Sequence, residues 1–432
     1  MIVGGRVRFM LAGRALRHRN YRLFCSAQAI SATGWVIQAL AQSWLIGTLV
    51  GWNDAVVYIG LLGVVQSLPV LALGLFGGII ADVWPKRRTL VGAQIATGML
   101  ALVLAGLTYF GLVAVWHVFV LAFLLGLVSA VEIPAHQSFI PEIVASNDVA
   151  NAVALDVAAF NGASIVGPAI AGVLIGVLGT APCFVLNGLS RGVVVIAFLA
   201  MHERELIPPT RLAMPRSLTA VRMNLGESFR YIRHTPVVLF LLAVVALVNA
   251  FGSNSLNIVL PVMAATVFNV GSTGYGLLSA TLAAGALTCA LAIAALERPQ
   301  FRVLIGGGIM LGVAELALAG TSLFPIALVA VFLAGAGSVA SGASASSLIQ
   351  ITVPGPLRGR VLSVWTTVIV GSSPIGNGLT GALGGLLGLP VALATAGTAV
   401  LATEGVAVAA LLRGYSRSGG DPEAGATQEG PV

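Results

Sequence analysis

The 432-residue chain is 58% hydrophobic and only 9% charged, with a mean hydropathy of +1.00. A soluble domain carries about 25% charged residues, so this composition excludes an ordinary water-facing surface and calls for contact with lipid. The formal net charge of +7 does not argue for nucleic acid, because the basic residues gather at the ends of apolar segments. Cys25, Cys183 and Cys289 lie far apart inside such segments, which excludes a disulfide framework or a metal-binding spacing.

A membrane-crossing helix needs about 20 apolar residues. Twelve such spans are expected, near 21–49, 56–81, 90–110, 116–136, 151–178, 181–200, 236–268, 274–296, 301–322, 325–350, 358–386 and 388–412. Arg6, Arg8, Arg14, Arg17 and Arg19 precede the first span without a cleavage site, so no removable signal is expected. The connections 51–54, 111–115, 179–181, 269–273, 323–324 and 387 hold no Lys or Arg. Of the 22 Lys and Arg residues, 21 fall in or beside the alternate connections and the two tails, Arg191 being the exception. This distribution obeys the positive-inside rule and predicts two cytoplasmic termini in a cell (inner) membrane.

The longest interruption divides the chain. A cytoplasmic segment over 1–20 leads into a six-span bundle over 21–200, and a second bundle covers 236–412. Between them, a cytoplasmic linker over 201–235 carries Leu218, Val221, Leu225, Phe229 and Ile232 at helical spacing, an amphipathic helix for the membrane surface. Residues 413–432, rich in Gly, Glu and Ser/Thr, read as a disordered cytoplasmic tail.

The stretch Gly78-Ile-Ile-Ala-Asp82-Val-Trp-Pro-Lys86-Arg87-Arg88, between spans 2 and 3, resembles the loop signature of the major facilitator superfamily. Arg19-Asn-Tyr-Arg-Leu-Phe, Ala41-Gln-Ser-Trp-Leu, Pro134-Ala-His-Gln, Asn151-Ala-Val-Ala-Leu, Gly167-Pro168-Ala-Ile-Ala-Gly172 and Arg358-Gly-Arg-Val-Leu-Ser are similar to bacterial members of the enterobactin-exporter and drug-efflux type. The resemblance covers roughly 14–412 and implies an all-α fold of two six-helix bundles with a central cavity. Val83 and Pro85 stand where the family has Arg and Gly. The second-half loop, Glu297 to Arg302, lacks the Asp, and span 4 lacks the Arg found in many drug–proton antiporters.

The loop has a physical logic of its own. Asp82 ends span 2, where a carboxylate meets the N-terminus of a helix that starts on the same side, such as span 11. Helix N-termini attract anions by about 0.3–1 kcal/mol. Gly78, Asp82, Lys86, Arg87 and Arg88 are therefore a candidate gating motif. The basic residues also suit inner-leaflet headgroups or a neighbouring carboxylate.

Neutral polar residues inside spans are candidate cavity lining: Gln28, Gln38 and Gln42 in span 1, Gln66 in span 2, Asn161 in span 5, and Asn249, Asn254 and Asn257 in span 7. Each is alternatively an interhelical hydrogen bond worth about 0.6 kcal/mol. Trp35, Trp44 and Phe251 are candidates for stacking on substrate; Trp52, Trp84 and Trp116 read as interface anchors. Gly167-Pro168 is expected to bend span 5, because proline removes an intrahelical hydrogen bond. Most other glycines read as close packing.

Charges inside the spans are few: Glu132, Asp156, Arg191, Glu315 and Glu404. His117 and His136 read as interfacial, and Glu315 and Glu404 as structural. Arg191 lies about nine residues from the inner end of span 6, roughly 14 Å deep. A lone Arg there costs about 2.5–3.5 kcal/mol, so a partner is expected in Asp156 or Glu132, making these three the candidate coupling charges. The alternative is an Arg191 that snorkels to the headgroups.

The chain has no phosphate-binding Gly-x-x-x-x-Gly-Lys-Ser/Thr loop, metal set or nucleophile triad, so neither an enzyme nor a cofactor is expected. The reading is a monomeric secondary transporter that exports a drug- or siderophore-like small molecule by alternating access, with H⁺ as the coupling ion by resemblance. Its partners are then the small molecule, the proton and the bilayer, with no nucleic acid. The rivals are an importer on the same fold and a non-transporting receptor or assembly protein.

Overall fold

The computed structural model describes residues 13–202, 205–206, 231–295 and 300–417; at 75–83, 236, 253, 355–356, 358–360, 363 and 410–417 it describes the backbone alone. Twelve long helices account for nearly all of it. In the N-terminal half, α1 is Arg19–Val50, α2 Ala55–Val83, α3 Lys86–Tyr109, α4 Val115–Ile143, α5 Val149–Leu178 and α6 Ala181–Leu199. In the C-terminal half, α7 consists of Pro236–Leu247 and Asn254–Thr266 joined by a π-turn over Val248–Ser253. It is followed by α8 Gly271–Ala294, α9 Phe301–Gly320, α10 Phe324–Thr352, α11 Gly355–Leu387 and α12 Leu389–Arg417. Eleven are long and apolar enough to cross a membrane, and α11 itself has 33 residues. The amphipathic helix expected in the linker falls mostly on 207–230, outside the described residues; at its end 231–234 are helical and Ile232 is buried. The last helix continues through Arg417, past the expected start of the tail.

These segments are helical because in hydrocarbon every backbone N–H and C=O must be satisfied within the segment. They stop where the turn chemistry allows. At Gly111 (φ +68°) the amide of Leu112 bonds Leu107 O at 2.9 Å and that of Gly111 bonds Thr108 O at 3.2 Å. That pair of bonds is a Schellman cap, and its left-handed residue favours glycine. Tight turns of this kind lie at the end of the bundle away from the termini.

The halves repeat one packing plan. In the first, α2 lies on α4 and α3 on α6; in the second, α8 lies on α10 and α9 on α12. The halves meet along α2–α11 and α5–α8. Both seams are close because glycine faces backbone. A methyl on Gly60 would meet Gly381 Cα at 2.9 Å, and one on Gly276 would meet Gly172 Cα at 2.8 Å. Both positions belong to the terminus-free end, so the bundle is closed there. Large aliphatic side chains such as Met99, Val173, Val313 and Val406 point outward, each more than half exposed, as lipid contact requires.

Two spans depart from expectation. Helix α4 continues to Ile143 instead of ending near 136, with His136 well inside it. Helix α5 is one continuous helix with Pro168 inside it, whereas α7 is interrupted by an irregular stretch. There a π-turn inserts an extra residue into the hydrogen-bond ladder, a device frequent at functional sites.

Candidate functional site

Between the halves lies a cavity of about 1130 Å³. The N-terminal half contributes Gln28, Trp35, Gln66, Glu132, His136, Asn161 and Arg191 to its wall; the C-terminal half contributes Asn254, Asn257, Tyr275, Ser338 and Asn377. Gln38 and Gln42 line a smaller adjoining recess of about 150 Å³, together with Asn377. Seven of the eight amides expected to line a cavity thus face one of these spaces. Asn249 does not. It sits in the π-turn and its Nδ2 donates to Ile369 O at 3.0 Å and to Ser372 Oγ at 2.8 Å, joining α7 to α11.

The aromatic residues divide as well. Trp35 lines the cavity beside Phe160, ring centroids 5.9 Å apart. Trp44 instead stacks on Tyr275 at 6.1 Å and packs against Trp52 at 4.6 Å; Trp52, in the turn after α1, is half-buried. Trp84 and Trp116 are exposed at 63% and 62%, as suits interfacial residues. Phe251 packs against the hydrophobic core.

All charged groups in the described wall come from the N-terminal half. Arg191 Nη1 donates to Gln94 Oε1 at 3.0 Å and to Glu132 Oε1 at 3.2 Å, and Gln94 Nε2 donates to the same Glu132 oxygen at 2.9 Å. These three residues close a ring across α3, α4 and α6. Arg191 is 7% exposed, so it is held inside and does not snorkel. Glu132, not Asp156, is its partner. Asp156 Oδ1 lies 3.7 Å from His136 Nε2. The longer α4 explains this: it carries His136 one turn beyond Glu132, opposite α5, and the imidazole takes the place expected of the guanidinium. His136 is therefore part of the site and not interfacial.

The loop motif grips the same half. Lys86 Nζ lies 2.6 Å from Glu142 Oε1 and donates to Ser138 O at 3.1 Å. Arg87 Nε donates to Phe198 O at 2.8 Å. Two basic residues at the head of α3 thus tie down the ends of α4 and α6, while Arg88 is exposed. Gly78 and Asp82 are helical in α2, and their side-chain surroundings lie outside the described residues. Gly167 and Pro168 do pack closely: a methyl on Gly167 would meet Val36 Cβ at 2.9 Å, and Pro168 lines the cavity.

Sequence reasoning missed Gln94, Asn187 and Asn377. Asn187 Nδ2 donates to Gln38 Oε1 at 2.7 Å, a fully buried bond between α6 and α1. Each is an amide inside an apolar span, the same signal that marked Gln66 and Asn161.

A family model described as transmembrane secretion effector matches residues 12–424. The chain is 28% identical over 384 residues to the multidrug efflux pump Tap of Mycolicibacterium fortuitum, covering 85% of this chain and 89% of Tap. It is 23% identical over 370 residues to the enterobactin exporter EntS of Citrobacter koseri, covering 83% and 81%. It is 25% identical over 273 residues to the staphyloferrin A transporter of Staphylococcus aureus, covering 62% of this chain and 65% of that one. Among solved structures, a bacterial homolog of the human lysosomal transporter Spinster, inward-facing and occupied, superposes with a TM-score of 0.69 at 15% identity over 93% of this chain and 97% of that one. The nucleoside transporter NupG gives 0.69 at 13% identity, over 90% and 99%.

Proposed function

Because the chain belongs to the transmembrane secretion effector family of major facilitator transporters, we propose that it exports a small amphipathic molecule by alternating access, exchanging it for protons at Glu132. One observation carries this reading: a cavity large enough for a drug-sized molecule, closed at one end, with a buried ion pair in its wall. Pockets of ~300–1,000 Å³ suit such ligands. Trp35 and Phe160 offer aromatic faces, and the amides and hydroxyls of the opposite wall match carbonyl or hydroxyl groups on the cargo. That Tap and EntS are named as a drug pump and an exporter supports cargo of a drug- or siderophore-like kind and an outward direction.

The distribution of Lys and Arg supports two cytoplasmic termini, which makes this conformation open to the cytoplasm and closed to the outside. The chemistry then follows from the ring of Gln94, Glu132 and Arg191. With Glu132 ionised, Arg191 is neutralised and the ring is intact. A proton arriving on Glu132 removes one charge of a buried pair, and leaving the other uncompensated costs about 3–5 kcal/mol. The protonated state therefore favours a different arrangement of α3, α4 and α6, which is what coupling requires. His136, one turn away in the cavity wall, and Asp156 beside it are the groups through which a proton reaches or leaves Glu132. Asp82 of the loop motif is proposed as the gate at the terminus-bearing end, and the monomer as the working unit.

The test is transport by the full chain in proteoliposomes with an imposed pH gradient, using a panel of dyes, antibiotics and siderophores first identified by growth of a strain lacking the protein. Proton-driven uptake into inside-out vesicles that vanishes in Glu132→Gln at equal expression is the expected result. Wild-type rates and pH dependence in that variant would remove Glu132 from the mechanism.

A further inference from the structure

Two carboxylates in the C-terminal half have no part in the cavity. Glu315 on α9 and Glu404 on α12 are fully buried, at 0% exposure. They lie in the α9–α12 seam, where Gly308 abuts the Glu404 carboxyl and Gly397 abuts the Glu315 side chain. No cation faces them among the described residues. Helices α7 and α10 contain no Lys, Arg or His. On α9, Arg302 stands thirteen residues before Glu315, roughly 20 Å along the axis, and is exposed. On α12, Arg413 stands nine residues beyond Glu404, roughly 14 Å away along the axis. Neither oxygen of Glu404 has a hydrogen-bond partner, nor does Glu315 Oε2.

The remaining oxygen shows where a proton sits. Ser255 Oγ lies 2.7 Å from Glu315 Oε1 and 2.6 Å from Gly252 O. A hydroxyl has one proton, and neither a carbonyl nor a carboxylate can supply another. Both short contacts are full two-centre hydrogen bonds when Glu315 carries a proton and donates to Ser255 Oγ, which in turn donates to Gly252 O. An ionised Glu315 would instead draw the serine proton to itself and weaken the bond to the Gly252 carbonyl. Gly252 belongs to the π-turn of α7. The same turn holds Asn249, clamped to α11, and the following Asn254 faces the cavity.

The geometry points to Glu315 as a second proton-binding site, read out through Ser255 by the π-turn of α7. Loss of its proton swings the Ser255 hydroxyl from the π-turn to the carboxylate and loosens the irregular joint between the cavity and α11. Glu404, about two turns nearer the terminus-bearing end, is the nearest other acid and is likewise unpartnered. Only the consequence for transport rests on the function proposed above; proton binding itself needs no substrate.

Infrared spectroscopy of the full chain in lipid nanodiscs, titrated from acid to alkaline pH, tests the site directly. A carboxylic C=O band that is absent in Glu315→Gln, fades as pH rises in the wild type, and shifts in Ser255→Ala is expected. In proteoliposomes, Glu315→Gln should keep substrate binding within about twofold and flatten the pH dependence of transport. A Glu315 band that never titrates while the protein stays folded, or a wild-type pH profile in Glu315→Gln, overturns the proposal. If Glu315→Gln does not fold, Ser255→Ala decides alone: an unshifted band overturns it. A titrating Glu315 band in a protein that moves no tested substrate would leave the proton site standing and count against the exporter reading.

Discussion

Removing Arg191 gives the sharpest test of the charged ring. The Arg191 and Glu132 side chains are 9% and 16% exposed, so the pair belongs to the buried class. Breaking such a pair from one side costs about 3–5 kcal/mol, because a charge is left buried without its counterion. Glu132 borders the cavity, which places Arg191→Met near the lower end, about 3 kcal/mol. Glu132→Gln strands the more deeply buried partner and should cost at least as much. A neutral double variant, Arg191→Met with Glu132→Gln, keeps volume and the link to Gln94 and removes both charges. It should be more stable than the sum of the single variants by about 2 kcal/mol, within the 0.5–3 kcal/mol range of contacting residues. Equilibrium unfolding in mixed micelles, read by tryptophan fluorescence, supplies all four corners of the cycle. Single-variant effects that add to within about 0.5 kcal/mol would mean the two charges do not sense one another, and the coupling mechanism would lose its foundation.

Four further outcomes are expected. Asn249→Ala should lower stability by about 0.6 kcal/mol through the lost α7–α11 bond and leave substrate KM unchanged, whereas Asn257→Ala should raise KM; equal KM effects would contradict the placement of Asn249. Asp82→Asn should slow transport at unchanged expression, and wild-type rates would end the gating role. Single cysteines at Asn53 and Arg88 should be labelled from opposite sides of the membrane by an impermeant maleimide; labelling from one side only would overturn the proposed topology. Gly276→Ala should increase the labelling of cysteines in the cavity from the outside, since its methyl meets the backbone of α5, and unchanged labelling would remove that seam as a closing contact.

Most of the architecture was legible because lipid imposes length and polarity rules that leave few alternatives. The spans, their number and the alternation of basic connections are all written in composition. What was not legible concerns polar residues that are satisfied by partners distant in sequence. The end of α4 looks like a loop, with His136, Gln137, Ser138 and Glu142 after a proline. It stays helical because Lys86, some fifty residues earlier, takes up Glu142 and the Ser138 carbonyl. That extension in turn decides that Asp156 meets His136 and leaves Arg191 to Glu132. The π-turn of α7 has no local signature, since Val248–Ser253 contains nothing that forbids an α-helix. Asn254 Nδ2 bonding back to Asn249 O at 2.7 Å is visible only in three dimensions. The amides of the cavity were found by residue type, but type alone could not separate Asn249, which fastens α7 to α11, from Asn257, which lines the cavity.

The two glycine seams bear on how this molecule tolerates change. Along α5–α8 a Ser272 hydroxyl donates to Gly172 O at 3.1 Å and the Thr273 hydroxyl reaches the same oxygen at 3.5 Å. Around them, at Gly172 and Gly276, backbone rests on backbone. Such a joint adheres largely by shape, so it parts without a long sequence of bonds having to be broken, and it re-forms without search. It also has almost no clearance. A single methyl acts as a shim in the joint. The positions with the least chemistry of their own, Gly60, Gly172, Gly276 and Gly381, are therefore the ones where the mildest substitution should redistribute the molecule between its states.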